Sequence, residues 1–394
     1  MKPDEAVILS AVRTPFGRRN GALRHTRPDT LLAAVIQAAL QRAQVPGERV
    51  GDVLAGCVSQ AGEQGGNIAR QAALLAGLPA AVPGASINRM CGSSQYAVHA
   101  AAQAVASGDL AFALGCGVES MSRVPMFLDL TLDPQKPFTG FDALHPGLLA
   151  RYPIPHQVES AEKIAETWRI SRQEMDDYAM ESHRRADEAR QSGWHHEILP
   201  IDGVGKDGDP FTLAGDEGIR VPVDEARIRG MAPVFRSPDS GRVTAANASQ
   251  MSDGAAAVLI GGAAAAHALG LKPLARFRSR VVVGSDPVLQ LTGVVPAARQ
   301  ALRQAGLSIQ DMDWIEVNEA FASVALCFAR ELQPDRQRLN PWGGAIAHGH
   351  PLGATGAGLI AKMLAGLARR DGQFGLQVMC IGHGMATATV IERL

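Results

Sequence analysis

Cys91 stands where a fold can make a thiol reactive. It follows an apolar stretch that ends at Ile87, and the small residues 92–94 come directly after it. An alanine-rich run then predicts a buried helix over 95–107. Unpaired backbone N–H groups and the positive end of the dipole at a helix N-terminus favour thiolate over thiol. This setting predicts a nucleophilic cysteine.

Two later glycine-rich stretches carry groups that could assist such a thiol. His350 lies within residues 343–353, and Cys380 begins residues 380–384. Histidine can accept a thiol proton near neutral pH, and backbone N–H groups of glycine loops can bind a developing oxyanion. Together with Cys91 they indicate acyl transfer through a thiolate. A hydrolytic cysteine enzyme is disfavoured because it has no use for the second thiol.

The overall composition is that of an ordinary globular protein. The 394 residues are 46% hydrophobic and 20% charged, and the formal net charge is −1. This balance gives no reason to expect binding to nucleic acid or to an anionic membrane, and no apolar run reaches membrane-spanning length. Five cysteines without paired spacing indicate reduced thiols, and a strand-like run already starts at Ala6. We therefore expect a cytoplasmic protein without a targeting peptide.

The segments around the motifs alternate between buried strands and helices, which predicts an α/β layer architecture. From 119 to 248 prolines and polar residues dominate, apart from one clear helix that begins after Ser171. An insertion of this length usually forms a lid, a binding loop or an interface. The predicted divisions are a first half of the core at 1–118, an inserted loop domain at 119–248 and a second half of the core at 249–394. The inserted domain is the expected place for the mouth of the site and for oligomer contacts.

The two halves of the predicted core repeat each other in nearly constant register. Ala39 corresponds to Ala301, for example, at an offset of 262 residues (301 − 39). The same offset puts Cys91 opposite Gly353, so the helix near Gly353 is the expected twin of the nucleophile helix. A pseudo-two-fold pairing of those helices would bring the loop 343–353 close to Cys91.

Motifs spread over the whole chain resemble those of the thiolase family, which includes acetyl-CoA acetyltransferases and 3-ketoacyl-CoA thiolases. Several motifs in the family order are far more specific than any one alone. They are Arg13-Thr14-Pro15-Phe16-Gly17, Asn88-Arg89-Met90-Cys91, Gly117-Val118-Glu119-Ser120-Met121-Ser122, Asn247-Ala248-Ser249, Asp253-Gly254-Ala255-Ala256-Ala257, Asn318-Glu319-Ala320-Phe321, Gly349-His350-Pro351-Leu352-Gly353 and Cys380-Ile381-Gly382.

The resemblance implies a thiolase-like α/β fold, in which two duplicated βαβαβ-type halves pack in α-β-α-β-α layers with an inserted loop domain. It implies a ping-pong reaction: reversible thiolytic cleavage of 3-ketoacyl-CoA to acetyl-CoA and acyl-CoA, or Claisen condensation of two acetyl-CoA. No permanently bound cofactor is implied, since coenzyme A is a co-substrate. The expected partners are acyl-CoA and CoA, and the expected assembly is a homodimer or homotetramer.

The same resemblance implies a role for each site residue. Cys91 would be the acylated nucleophile, His350 the base that activates it, and Cys380 the group that moves a proton at the α-carbon of acetyl-CoA. Asn318 would hold a water that, with His350, stabilises the enolate oxygen. Backbone N–H groups of Cys91 and Gly382 would bind the tetrahedral intermediate. The residues assigned to the CoA channel are Ser249, Arg220 and His156.

Several positions depart from the family pattern. His383 stands where glycine is common and would add a titratable side chain beside Cys380. His348 replaces a more usual aliphatic residue. Gln95 replaces an apolar residue, so we expect the nucleophile helix to face a polar neighbour. Gln157 and Val158 stand where short-chain enzymes carry Met-Gly, which leaves the acyl-chain preference open.

The remaining cysteines and the His348–His350 pair have less specific interpretations. Cys57, Cys116 and Cys327 lie in apolar segments and are expected to serve packing alone. His348 and His350 could form a metal pair, but the loop offers no carboxylate or third ligand, so general-base use is favoured.

The alternatives for the whole chain come from different classes. Residues 353–358 superficially resemble a nucleotide-binding fingerprint but lack its spacing, so close helix packing explains them better. A ketosynthase-like condensing enzyme would use a Cys–His–His set, whereas this chain has Asn318 and Cys380. A non-catalytic thiolase-like protein that binds acyl-CoA or lipid is disfavoured by the intact set of two cysteines and a histidine.

Overall fold

The computed structural model describes residues 5–130 and 144–394. The strands of this part of the chain are β1 (Ala6–Arg13), β2 (Gly17–Arg18), β3 (Asp52–Gly56), β4 (Gly84–Ile87), β5 (Phe112–Ser120), β6 (Ile201–Val204), β7 (Pro210–Leu213), β8 (Ser252–Gly262), β9 (Ala275–Gly284), β10 (Trp314–Val317), β11 (Phe374–Ile381) and β12 (Met385–Arg393). Its α-helices are α1 (Pro28–Ala43), α2 (Ile68–Leu75), α3 (Ser93–Ser107), α4 (Pro146–Arg151), α5 (Gln157–Thr167), α6 (Arg172–Gln191), α7 (Glu225–Arg229), α8 (Ala263–Ala268), α9 (Val294–Ala305), α10 (Ala322–Leu332), α11 (Ala345–His348) and α12 (Leu352–Arg370).

Most strands join one mixed sheet in the order β10-β11-β12-β9-β1-β8-β5-β3-β4, and the short β2 pairs with β8. The pairs β10–β11, β3–β5 and β3–β4 are parallel, as expected for strands joined by helical crossovers. At its middle the sheet is held by only two residue pairs between β1 and β9, Val7 with Arg276 and Ile8 with Ala275. The sheet therefore consists of two halves with a narrow junction.

Side chains that alternate along the strands place helices on both faces of each half. In β8, Ala255, Ala257 and Leu259 pack in the cluster that contains α1 and α2. The intervening Ala256, Val258 and Ile260 pack with residues of α3 and α12. Helices α9 and α10 cover the outer face of β11 and β12. The predicted α-β-α-β-α layering is confirmed, with α3 and α12 in the middle layer.

The predicted duplication is visible in matching elements. β3 and β10 begin 262 residues apart (314 − 52), and β5 and β11 begin 262 residues apart (374 − 112). α1 and α9 both end at that same offset (305 − 43). The helix that follows Cys91 therefore has its counterpart in the helix that follows Pro351.

α3 and α12 touch through small residues. A Cβ atom added at Gly356 would lie 2.4 Å from the backbone nitrogen of Gln95, so only glycine fits there. Ala357 donates its N–H to Ser94 Oγ at 2.9 Å. Residues 353–358 therefore serve close helix packing, as predicted. The same contact places the end of the loop 343–353 near Cys91.

The long connection from β5 to β8 contributes α4 to α7 and the hairpin β6–β7, and α6 begins with the expected capping box of Ser171 and Glu174. A buried ion cluster ties the insertion to β1. Arg13 Nη1 lies 2.6 Å from Asp216 Oδ1, and Arg13 Nη2 lies 3.1 Å from Glu197 Oε1. Across 5–130 and 144–394, no helix is both long and apolar enough to cross a membrane.

Candidate active site

The backbone before α3 turns sharply to present Cys91. Met90 has a φ of 45°, in the left-handed region that non-glycine residues seldom occupy. Ser93 Oγ accepts the N–H of Arg89 at 2.9 Å and donates to the carbonyl of Met90 at 2.5 Å, which fixes the turn. Cys91 is only 5% exposed and stands two residues before α3. It occupies the position expected from the sequence.

Two backbone N–H groups face the Cys91 sulfur. They belong to Cys91 itself and to Gly382, and both favour the thiolate. Burial and the neighbouring Cys380 act more strongly, so the pKa of Cys91 lies above that of an ordinary thiol. The two N–H groups therefore stabilise the thiolate without making it the resting form of Cys91. A base must remove the thiol proton.

Asn318, His350 and Cys380 meet at one buried point. Asn318 Nδ2 lies 3.4 Å from His350 Nε2 and 3.8 Å from Cys380 Sγ. Their side chains come from the end of β10, the turn before α12 and the end of β11. Asn318 is 1% exposed, and its Oδ1 atom has no partner within the described residues. A buried acceptor of this kind suits a bound water or a substrate group.

His350 is held by its backbone and by its ring. Its N–H donates to the carbonyl of Gln250 at 3.0 Å and lies 3.2 Å from Ser252 Oγ. Its Nδ1 atom lies 2.7 Å from Thr355 Oγ1. Burial lowers the pKa of His350 to about 4, so the ring is neutral at physiological pH and can accept a proton. Sequence reasoning missed Thr355, although its place one turn after Pro351 was a signal.

The pKa of Cys380 is raised to about 11, mainly by burial, while Asn318 and the backbone N–H groups of Ala320 and Cys380 oppose that shift. The thiol is therefore protonated at neutral pH. His383 is not among the groups that shift it. The His383 N–H donates to Gln290 Oε1 at 2.9 Å, which orients the turn after β11. The suggested influence of His383 on Cys380 receives no support from this geometry.

Two buried glutamates of the family motifs, to which the sequence assigned no role, hold the loops in place. Glu119 accepts the N–H of Gly353 at 2.9 Å, which joins β5 to the first turn of α12. Glu319, next to Asn318, accepts from several groups around the loop 340–346. These groups are Tyr178 Oη, Ser182 Oγ, Asn340 Nδ2 and the N–H of Ile346.

His348 belongs to a buried polar group beneath the same loop. Lys362 Nζ lies 3.1 Å from Glu316 Oε2 and 3.3 Å from His348 Nε2. Since an ammonium group can only donate, His348 Nε2 accepts, and Nδ1–H donates to the carbonyl of Gly349 at 3.0 Å. His348 thus fixes the peptide that leads into His350. Within the described residues no three potential ligands are grouped for a metal ion.

The three residues assigned to the CoA channel lie on segments that flank this centre. Ser249 pairs its N–H with the carbonyl of Ala320 at 2.9 Å, just beyond Asn318. His156 caps α5 and stacks on Phe235 at 5.6 Å between ring centroids. Arg220 lies 3.4 Å from Gln250 Oε1. Partial burial of the guanidinium, with Arg18 and Arg227 nearby, lowers the pKa of Arg220.

The remaining predictions concern packing. Cys57 and Cys116 are fully buried, Cys327 is 1% exposed, and all five cysteines are free thiols. Gln95 indeed faces polar groups, because it bonds Thr387 Oγ1 at 2.7 Å and Thr389 Oγ1 at 2.6 Å.

Comparisons with known proteins agree with this architecture. Residues 6–263 match the family model for the thiolase N-terminal domain, and residues 271–393 match that for the thiolase C-terminal domain. The crystal structure of the Bacillus anthracis acetyl-CoA acetyltransferase is 34% identical, with a TM-score of 0.90 over 99% of each chain.

Two curated relatives align over nearly their whole length. The steroid 3-ketoacyl-CoA thiolase of Mycobacterium tuberculosis is 43% identical over 393 residues, which cover 99% of this chain and 94% of that protein. The 3-oxoadipyl-CoA/3-oxo-5,6-dehydrosuberyl-CoA thiolase of Escherichia coli is 41% identical, and the alignment covers 99% of this chain and 100% of that protein. The domain matches and these identities show that the chain belongs to the thiolase family.

Proposed function

We propose that this protein is an acyl-CoA C-acyltransferase that cleaves 3-ketoacyl-CoA with coenzyme A, reversibly, through an acyl-Cys91 intermediate. The observation that carries the proposal is the meeting of Asn318, His350 and Cys380 at one buried point, beside a thiol that two backbone N–H groups face. A protonated thiol, a neutral histidine and a second protonated thiol are the forms in which the reaction must start.

In the first half-reaction His350 Nε2 takes the proton of Cys91, and the sulfur attacks the 3-keto carbon. The N–H groups of Cys91 and Gly382 bind the resulting oxyanion. When the bond between C2 and C3 breaks, the enolate of acetyl-CoA forms, and Cys380 donates its proton to the α-carbon. Asn318, through a water, and the protonated His350 stabilise the enolate oxygen. Acetyl-CoA leaves, and the acyl group stays on Cys91.

The second half-reaction restores every proton. The Cys380 thiolate takes the proton of the incoming CoA thiol, and the CoA sulfur attacks the thioester of Cys91. Collapse of the tetrahedral intermediate releases acyl-CoA, and the Cys91 sulfur recovers its proton from His350. The reverse sequence with two acetyl-CoA molecules is the Claisen condensation. Separate thiols for the acyl group and the proton explain why both cysteines are needed.

The inserted domain at 119–248 supplies most of the groups proposed for CoA. Arg220 lies near Arg18 and Arg227, and clustered guanidinium groups suit the phosphates of CoA. We assign the stacked pair of His156 and Phe235 to the mouth of the CoA site, and Ser249, whose N–H bonds the carbonyl of Ala320, to the wall near Asn318. Residues 1–118 and 249–394 form the two halves of the core in this proposal, and their motifs supply the reacting groups.

One edge of the large sheet is open for association with a second copy of the chain. β4 ends the sheet, and its outer edge pairs with no strand of the described residues, while Leu74 and Leu75 of the adjacent α2 are 47% and 54% exposed. An open edge beside exposed leucines supports association of two copies, as a homodimer or within a homotetramer. Five free thiols support a reducing compartment such as the cytoplasm.

The test uses acetoacetyl-CoA and CoA with the full-length protein. Acetyl-CoA should form, and brief exposure to acetyl-CoA should add an acetyl mass to the peptide that contains Cys91. Cys91→Ala should lose both signals, whereas Cys327→Ala, a buried cysteine used for packing, should retain them. A label on Cys57 or Cys327 would overturn the nucleophile assignment. Binding of acyl-CoA without turnover would favour the non-catalytic alternative.

A further inference from the structure

We propose that Gln157 selects 3-ketoacyl-CoA substrates whose acyl chain carries an oxygen substituent, such as a hydroxyl or carboxylate group, over hydrocarbon chains of equal length. The inference rests on the proposed acyl-Cys91 intermediate and names the substrate class of that site.

The Gln157 amide lies directly beside the group that would hold the acyl carbonyl. A Cβ atom added at Gly382 would lie 2.7 Å from Gln157 Nε2 and 2.8 Å from Met90 Sδ. Gly382 supplies one of the two N–H groups that face the Cys91 sulfur. An acyl chain that leaves the thioester carbonyl at this point has the Gln157 amide as its polar neighbour.

The backbone holds Gln157 in this position from both sides. His156 caps α5, and Val158 packs on the core that covers β11. Buried Gln290 donates to the carbonyl of Pro155 at 2.7 Å and to Ser160 Oγ at 2.9 Å. Its Oε1 accepts the N–H of the residue after Gly382. The start of α5 and the turn that carries Gly382 are therefore linked by one side chain.

The amide itself has no hydrogen bond to any residue of 5–130 or 144–394, although Gln157 is half-buried. A methionine or leucine of similar length would fill this space without a polar group to satisfy. An oxygen on the acyl chain would satisfy the amide, whereas a hydrocarbon chain would desolvate it without compensation. A site built to hydrogen-bond a substrate group discriminates against substrates that lack this group, because its own polar atoms are then buried without a partner.

The experiment compares three six-carbon substrates: 3-oxohexanoyl-CoA, its 6-hydroxy derivative and its 6-carboxylate form, 3-oxoadipyl-CoA. We expect the wild-type kcat/KM to be about tenfold higher for at least one oxygenated chain than for the hydrocarbon chain, the size of one hydrogen bond. Gln157→Met should remove that preference. Gln173→Met, an exposed glutamine on α6, should keep it.

A second variant tests the contact by charge. Gln157→Glu should lower turnover of the carboxylate chain more than that of the hydroxyl chain, because like charges repel. Equal ratios in the wild type and Gln157→Met, or a uniform loss on all three substrates in Gln157→Met, would overturn the inference. Those results leave acyl-Cys91 formation intact in the wild type. Absence of both turnover and acyl-Cys91 would instead refute the proposed function.

Discussion

Thr355 Oγ1 lies 2.7 Å from His350 Nδ1 and 2.9 Å from the carbonyl oxygen of Pro351. The carbonyl can only accept, so the single hydroxyl hydrogen goes to Pro351. The hydroxyl oxygen then accepts a hydrogen bond from His350 Nδ1–H. This contact fixes the tautomer of the ring and leaves Nε2, the atom that faces Asn318, free to act as a base.

Thr355→Val should slow acylation of Cys91 because the His350 ring loses the partner that selects its tautomer. We expect kcat to fall about ten- to a hundredfold, which is the loss typical when a group that orients a functional histidine is removed. KM should change little. Rapid-quench measurement of acetyl-Cys91 formation checks this. Thr355→Ser keeps the hydroxyl and should recover most of the rate. A valine variant with the wild-type rate would show that Thr355 does not select the tautomer.

Cys380→Ser should separate the two roles of the thiols. Serine is a far weaker acid than the thiol, whose pKa here is about 11, so proton transfer at the α-carbon should nearly stop. Transfer of acetyl from acetyl-CoA to Cys91 should fall much less, because it moves no carbon-bound proton and the CoA sulfur can leave as a thiolate without the proton of residue 380. Deuterium uptake into the methyl group of acetyl-CoA and the mass of the Cys91 peptide measure the two steps. Equal losses in both would contradict the division.

Much of this architecture was predictable from the pattern of residues. Alternating apolar segments indicated the strands and helices, because burial on both faces leaves long apolar runs. The offset of 262 residues indicated that the helix after Pro351 pairs with the helix after Cys91. The two helices indeed pack together, with Gly356 against the backbone of Gln95. Most of the site residues were therefore predictable, because they lie in motifs with a fixed local geometry.

Other contacts left no local signal in the sequence. Arg13 meets Glu197 and Asp216 across 184 and 203 residues, so neither partner follows from spacing. The pKa of Cys91 depends on burial and on Cys380, and both outweigh the backbone N–H groups that sequence reasoning emphasised. Desolvation depends on the whole fold, so the balance between these effects does not follow from the position of Cys91 in the sequence.

His348→Leu should test whether the bond from His348 Nδ1 to the carbonyl of Gly349 positions His350. Loss of that donor should let the peptide before His350 rotate, so we expect kcat to fall about tenfold with KM nearly unchanged. His348→Asn can keep the donor to Gly349 and should recover most of kcat. Steady-state kinetics on acetoacetyl-CoA suffice. Full activity in the leucine variant would mean that the loop is held by its other contacts.

His99 should make the folded state sensitive to acid. The ring is 1% exposed, its Nε2 lies 2.7 Å from Thr389 Oγ1, and burial, with Arg280 and Arg89 nearby, lowers its pKa to about 3. An unfolded histidine has a pKa of about 6.5. Between these values only the unfolded chain binds the proton, so the stabilising contribution of neutral His99 is complete above pH 6.5 and declines below it.

The decline is at most about 1.4 kcal/mol per pH unit for this single group. Urea unfolding of the wild type and His99→Gln at pH 7.5, 6 and 5 isolates it, because every other titrating group is shared by the two proteins. The free energy of unfolding of the wild type minus that of His99→Gln should be constant above pH 7. It should decrease as the pH falls below that value. A difference that stays constant down to pH 5 would mean that His99 is protonated in the folded state as readily as in the unfolded chain.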